Sequence, residues 1–306
     1  MKNQYKITVF TATFNRSSLL KNIYEDLKSQ TFKDFEWLIV DDGSTDNTEI
    51  EVKKWINDNL LDINYIYKKN GGRHSAINLG CKHANGELFL LLDSDDRILK
   101  DSLSIINNIW DRNSHRKNIS GILTLCKNAD NILIGSRFPN DLYEAHFDEI
   151  YYKYHVIGDK FTCFKTEILK QYPFPEEDGI KFIMESIVWH EMSKKYKMIC
   201  RNEILQIVNY QTNGLSNTEY SYDKINGLAF SYMTLINNKT YSIFKYPRLY
   251  VFNYIYLIAY SFLYRLNYYK RLTRISSKVC YIILSPIGYI LYKKMYNYLK
   301  NKRGNL

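Results

Sequence analysis

Cysteine is scarce and scattered. Cys81, Cys126, Cys163, Cys200 and Cys280 form no Cys-x-x-Cys pair, which argues against a disulfide framework or a structural zinc site and fits a reducing compartment. Buried thiols are the expectation for such residues. Acidic residues are missing altogether from residues 245–306, where 12 Lys/Arg stand alone. Residues 1–244 carry 30 basic and 32 acidic side chains, so the formal net charge of +10 belongs to the tail. That distribution excludes a nucleic-acid-binding surface spread over the whole chain. No apolar core of a secretory signal precedes the first strand-like run, so the N-terminal part is expected in the cytoplasm. Apolar runs of the roughly 20 residues that a bilayer crossing needs are lacking too. The two longest, residues 249–263 and 279–291, are shorter, and Ser285-Pro286 interrupts the second. There is no internal repeat and no low-complexity linker.

What is present is a globular composition. The 306 residues are 45% hydrophobic, enough for a sizeable core in one large domain or one domain with an appendage. The first hundred residues alternate strand and helix patterns. Residues 5–12 are β-rich. Ser17 or Ser18 can cap a helix with an apolar face of Leu19, Leu20, Ile23, Tyr24 and Leu27. The apolar run 35–40 ends in Asp41-Asp42-Gly43-Ser44, as a buried parallel strand entering a turn does. Thr45 or Asp46 then caps a helix carrying Ile50, Trp55 and Ile56. Residues 63–67 predict a third strand, Gly71-Gly72 breaks the chain, and 75–83 reads as helix. The continuous apolar strand 88–92 stops abruptly at Asp93-Ser94-Asp95-Asp96.

This order predicts right-handed βαβ units around a mainly parallel sheet. Ligands of such sheets bind beyond the carboxyl ends of the strands. Polar clusters at 11–16, 41–44 and 93–97 stand at three such ends. Further on, 119–126 and 131–134 fit strands of a mixed sheet, and 180–196 reads as a loop entering a helix. The character changes near Lys245, after which 13 of the 28 tyrosines occur.

Asp93 and Asp95 carry the clearest chemistry. At a strand end, residues i and i+2 project to one side. Two carboxylates there can share a divalent cation and face a diphosphate, and oxygen ligands suit Mn²⁺ or Mg²⁺. Asp42 closes another strand, where a carboxylate can accept a hydrogen bond from a base N–H; a simple helix-preceding turn is the alternative reading.

Taken together, the segments Thr11-Ala12-Thr13-Phe14-Asn15-Arg16, Ser29-Gln30-Thr31-Phe32, Phe35-Glu36-Trp37-Leu38-Ile39-Val40-Asp41-Asp42-Gly43-Ser44, Asn70-Gly71-Gly72-Arg73-His74-Ser75 and Leu92-Asp93-Ser94-Asp95-Asp96 resemble family-two glycosyltransferases. Their order and spacing match over residues 5–100, with Ala12 where the family commonly has proline. The resemblance implies a GT-A fold: a Rossmann-like, mixed but mainly parallel sheet flanked by helices, here with a C-terminal helical extension. It implies a nucleotide site of Ala12, Thr13, Asn15, Asp42, Gly72, Arg73, Asp93 and Ser94. Asp42 would meet uracil or an equivalent base and Arg73 the base or diphosphate. Asp93 would contact ribose and metal, and Asp95 would be the chief ligand of Mn²⁺ or Mg²⁺.

The second half matches less well. Glu185 stands where the family has a general base, with Ser186 in place of the usual following Asp; certain capsule- and wall-polysaccharide members resemble it there. His190 reads as structural, or as a wall of the acceptor site. Gly214-Leu215-Ser216 resembles a loop near the donor diphosphate. The expected organisation is a catalytic domain over 1–244, with a nucleotide half to about residue 100, followed by a basic aromatic tail, 245–306. The expected activity is inverting sugar transfer from a nucleoside-diphosphate sugar, UDP-linked by preference, to a glycan or lipid-linked acceptor. The tail is expected to dock on the inner face of the cell membrane, and no nucleic acid is expected as partner. A nucleotidyltransferase making sugar nucleotides is the first rival, disfavoured because residues 11–16 contain no glycine. A non-catalytic membrane-associated protein that kept the fold is the second.

Overall fold

The computed structural model describes residues 4–140, 142–211 and 221–304, with side chains to residue 301. Contacts divide the chain into two compact units. Residues 1–176 and 188–217 form the first, and 177–187 with 218–306 the second.

The first unit is built in chain order from β1 (Tyr5–Thr13), α1 (Ser17–Lys28), β2 (Phe35–Asp41), α2 (Thr48–Asp58), β3 (Ile63–Tyr67), α3 (Arg73–His83), β4 (Gly86–Leu91), β5 (Arg97–Ile98), α4 (Ser102–Asp111), β6 (Ile119–Asn128), β7 (Glu144–His146), α5 (Phe147–Tyr152), β8 (Lys160–Lys165), α6 (Thr166–Leu169), α7 (Ser186–Ser193) and β9 (Lys197–Val208). The sheet order is β3-β2-β1-β4-β8-β6-β9-β5, with β7 also on β9. The first four strands are parallel, as the βαβ pattern predicts. β8 runs antiparallel to β4 and β6, whereas β6 and β9 are parallel. The mixed, mainly parallel sheet expected from the sequence is therefore what forms.

Burial explains the strand patterns. Every residue of β2 is buried, because helices cover both faces of a parallel sheet. Within this core the Trp37 indole donates to Thr11 Oγ1 at 3.0 Å, so its one polar atom is satisfied. α1 buries Leu20, Ile23, Tyr24 and Leu27 as expected. α2 differs: Val52 and Trp55 face the core, while Ile50 and Ile56 are exposed. Asp46 does serve the start of α2, accepting from Thr48 N at 3.0 Å. Residues 131–134 are not a strand. Asn131 adopts a φ of 63° in a tight turn after β6, and one bridge from Lys127 to Leu133 is all that pairs there.

The second unit holds α8 (Tyr222–Asn237), α9 (Pro247–Tyr264), a 3₁₀ turn (Tyr268–Arg271) and α10 (Ile275–Gly304). α8 packs on α9, with Tyr232 stacked on Tyr256 at 5.4 Å. On another side α8 meets the segment 177–187. A Cβ on Gly227 would lie 1.8 Å from Phe182 O, and Ser231 Oγ accepts from Met184 N at 3.1 Å. This division differs from the expected boundary at 244/245. α8 groups with the tail because α9 covers its apolar side.

Ser285-Pro286, which interrupts the second apolar run, lies inside α10, and that helix runs for 30 residues. Proline removes one backbone donor within a helix, and in the same turn Ser285 Oγ donates to Tyr281 O at 2.7 Å. Close packing on α9 is set by Gly288, where any Cβ would stand 2.4 Å from Ile258 Cγ2.

Candidate active site

The parallel register brings three strand ends side by side. Thr13 pairs with Asp41, and Phe10 with Leu91, so the loops after β1, β2 and β4 share one edge of the sheet. Asn15, at a φ of 53°, ties two of them together. Its Oδ1 accepts from Thr45 N at 2.7 Å and Asp46 N at 3.3 Å, and its own N donates to Ser44 Oγ at 2.8 Å. Ala12 is half-buried beside it. Thr13 is buried, and its Oγ1 has no hydrogen-bond partner among the described residues.

Asp42 organises the next loop. Its Oδ1 accepts from Lys68 Nζ at 2.7 Å and Gly71 N at 2.8 Å. Its Oδ2 accepts from Gly72 N at 2.7 Å and Asn70 Nδ2 at 3.2 Å. Four donors fill the sites a carboxylate offers. Gly72 takes a φ of 92°, which a side chain would strain, and in this conformation it aims its N–H at Asp42 and opens α3. Neighbouring Asp41 accepts from Ser44 N and Tyr65 OH, each at 2.7 Å. Burial, then that bond to Asp41, push the Tyr65 phenol up.

The loop after β4 is held residue by residue. Asp93 is gripped by Arg73 through Nε at 2.9 Å and through Nη2. Ser94 is buried and accepts from Arg16 Nη1 at 3.0 Å. The same nitrogen lies 3.1 Å from Asp95 Oδ2. Burial lifts the Asp95 carboxyl above its usual range, with Arg16 opposing and Asp93 adding to the rise. Asp96 turns inward, accepting from Gln206 Nε2 at 2.6 Å and Asn209 N at 3.1 Å. Burial foremost pushes it up to about 8. Asn209 Nδ2 also donates to the Asp95 carbonyl at 3.1 Å.

Ala12, Thr13, Asn15, Asp42, Gly72, Arg73, Asp93, Ser94 and Asp95, the residues expected to form the nucleotide and metal site, lie around one edge of the sheet. Sequence reading assigned nothing to Arg16, Lys68, Gln206 or Asn209. Arg16 and Lys68 were visible as cations flanking the motifs, but their partners are far away in sequence. Glu185 is not among this group: it belongs to the second unit, and α7 begins at the next residue. His190 on α7 is buried and hydrogen-bonded to Asp148, which agrees with a structural role. Gly214-Leu215-Ser216 lies outside the described residues.

No group of three His, Cys, Asp or Glu that could hold a metal occurs among the described residues. The donor set at Asp93 and Asp95 is two carboxylates, all oxygen. It fits Mn²⁺ or Mg²⁺, which keep waters and take substrate phosphates as further ligands, and does not fit zinc.

The sheet, its helices and this acid-bearing edge define a GT-A-type α/β protein. The profile of glycosyl transferase family 2 matches residues 8–173, more than half of the chain, and the chain belongs to that family. It is 30% identical over 179 residues to the GalNAc(5)-diNAcBac-PP-undecaprenol beta-1,3-glucosyltransferase of Campylobacter jejuni, covering 56% of this chain and 55% of that one. It is 38% identical over 112 residues to an uncharacterised glycosyltransferase of Rickettsia conorii, covering 37% of this chain and 18% of the relative. The chain thus spans about half or less of the curated relatives it matches. Residues 1–349 of TarS from S. aureus, solved with UDP-GlcNAc, share the fold at a TM-score of 0.59 and 19% identity, over 90% of this chain and 78% of that one. A Pyrobaculum calidifontis mannosyltransferase solved with GDP-Man and Mn²⁺ gives 0.52 and 16%, over 97% and 81%.

Proposed function

We propose that the protein is an inverting glycosyltransferase that moves a sugar from a UDP-linked donor to a hydroxyl of a glycan or lipid-linked acceptor in cell-surface polysaccharide synthesis. The observation that carries this reading is the convergence of Asp42, Arg73, Asp93 and Asp95 on one sheet edge. Asp42 suits a base N–H flanked by carbonyls. Arg73 and Arg16 face the diphosphate. Mn²⁺ or Mg²⁺, held by Asp95 and Asp93, would supply positive charge to the departing nucleoside diphosphate. Glu185 is the proposed base, taking the acceptor hydroxyl proton as that oxygen attacks the anomeric carbon. The UDP-GlcNAc in the TarS structure and the undecaprenol-linked substrate in the Campylobacter relative's name support the donor and acceptor classes.

The test is a screen of UDP-, GDP- and dTDP-sugars with Mn²⁺, following nucleoside diphosphate release and new glycosidic products by mass spectrometry. Release from a UDP-sugar supports the reading. Release from GDP-sugars alone overturns the base assignment, and pyrophosphate formation from a sugar phosphate points to the nucleotidyltransferase rival.

We also infer that the tail brings this site to the inner face of the cell membrane. α10 exposes Ile275, Val279, Ile282, Ile283, Ile287 and Ile290. Exposed Lys293, Lys294 and Lys300 follow on the same helix. Residues 245–306 bear no acid, so charge complementarity selects an anionic bilayer, at about 1 kcal/mol per cation. The helix segment 275–301 is long enough to cross a membrane, and its most apolar 18-residue window has mean hydropathy 1.4. One side of α10 packs on α9, and we favour a helix lying in the interface. Flotation with anionic vesicles is the test. Binding that Ile283→Glu with Ile287→Glu abolishes supports the surface, while concentration-dependent self-association in its place overturns it.

A further inference from the structure

Each carboxylate that the proposed function gives to a ligand is held by a basic side chain of the chain itself. Lys68 is on Asp42, Arg73 on Asp93 and Arg16 on Asp95. The three grips differ. Lys68 Nζ is also fixed by Lys69 O at 2.8 Å and Ser75 Oγ at 2.9 Å. Arg73 uses two nitrogens on one Asp93 oxygen. Arg16 uses a single nitrogen, Nη1, shared between Ser94 Oγ and Asp95 Oδ2, and its guanidinium makes no other hydrogen bond among the described residues. Its backbone is anchored, because Arg16 O accepts from Leu19 N and Leu20 N in the first turn of α1. A long side chain thus pivots on a fixed base, with most of its fork unused.

We propose that Arg16 competes with the divalent cation for Asp95 and thereby makes cation binding conditional on the nucleotide. This rests on the donor reading above. A cation ligated by Asp95 meets the guanidinium at the same oxygen, and like charges repel across so short a gap. Cation alone is therefore opposed. A diphosphate changes the balance, since it is an anion that the free fork of Arg16 can take in a bidentate manner. Arg16 then passes from competitor to diphosphate ligand. Coupling between two ligands is reciprocal, so nucleotide must tighten Mn²⁺ by the factor by which Mn²⁺ tightens nucleotide.

Mn²⁺ binding to the full chain is measured by the paramagnetic resonance signal of the free ion, with and without UDP. UDP binding is measured by calorimetry, with and without Mn²⁺. Arg16→Met is expected to bind Mn²⁺ alone about tenfold more tightly than the parent, the equivalent of about 1.4 kcal/mol, and to lose most of the enhancement by UDP. Arg16→Lys, which keeps the charge, is expected to stay near the parent for Mn²⁺ alone. Arg16→Gln replaces the methionine variant if circular dichroism shows that one to be unfolded. If removing the charge leaves Mn²⁺ affinity unchanged or weakens it while UDP still binds, the competition is wrong and the donor reading stands. If the parent binds neither Mn²⁺ nor UDP, the donor reading itself fails.

Discussion

The imidazole of His190 donates through Nδ1–H to Asp148 Oδ1, joining α7 to the first turn of α5 across 42 residues of sequence. Both side chains are buried, and Phe147 and Tyr152 pack on the ring at 5.5 and 6.0 Å. Asp148→Ala leaves a buried donor without its acceptor, which costs about 1–3 kcal/mol. A urea denaturation midpoint reads this directly. An unchanged midpoint would remove the pair from the list of contacts that anchor α7.

Asp95→Asn keeps shape and removes a charge from the proposed cation site. Transfer should fall by at least about 10²-fold, the scale for losing one charge-stabilising group in a transition state, and EDTA should abolish what the parent does. A variant fully active in EDTA would sink the cation reading.

Glu185→Gln tests the proposed base. Turnover should drop by about 10²–10⁴-fold while UDP affinity measured by calorimetry holds. Should turnover persist, another carboxylate serves, with Asp178 and Glu191 the next to substitute.

Acid should weaken the contact of β7 with its surroundings. Burial pushes the Glu144 carboxyl up, but hydrogen bonds from Lys197 and Arg116 outweigh this and hold it below its ordinary 4.5. The fold therefore favours the ionised form. Its stabilisation is fully present above 4.5 and is lost as pH falls through the lower folded value. Glu144→Gln should be less stable than the parent at pH 7, by roughly 0.5–1 kcal/mol for a partly exposed pair. The two should converge once the pH has fallen below the lowered folded value. A gap that persists in acid would mean packing, not charge, is responsible.

Abrupt ends of apolar runs made Asp42, Asp93 and Asp95 legible, because they stand where a largely apolar strand leaves the sheet. Partners across the sequence were not legible. Arg16 finds Ser94 at a separation of 78 residues, and Gln206 finds Asp96 at 110; the pairing of β1 with β4 brings the first pair close, and that of β5 with β9 the second. Local chemistry misled at residues 131–134, where a short apolar run closes a turn. The membership of α8 could not be read either, since its apolar face says that it is covered, not by which helix.

The segment 177–187 leaves the first unit and returns to it, and this has a bearing on shortening the gene. Ending the chain before α8 would not excise the second unit cleanly. It would keep Ile180 and Ile183, both buried, together with the backbone that Gly227 and Ser231 contact, while deleting the helix that shields them. Such a product would present a bare apolar strip three residues ahead of α7 and should aggregate more readily than the intact chain. Point changes on the outer side of α10, which disturb no such cover, are the sounder way to probe the tail.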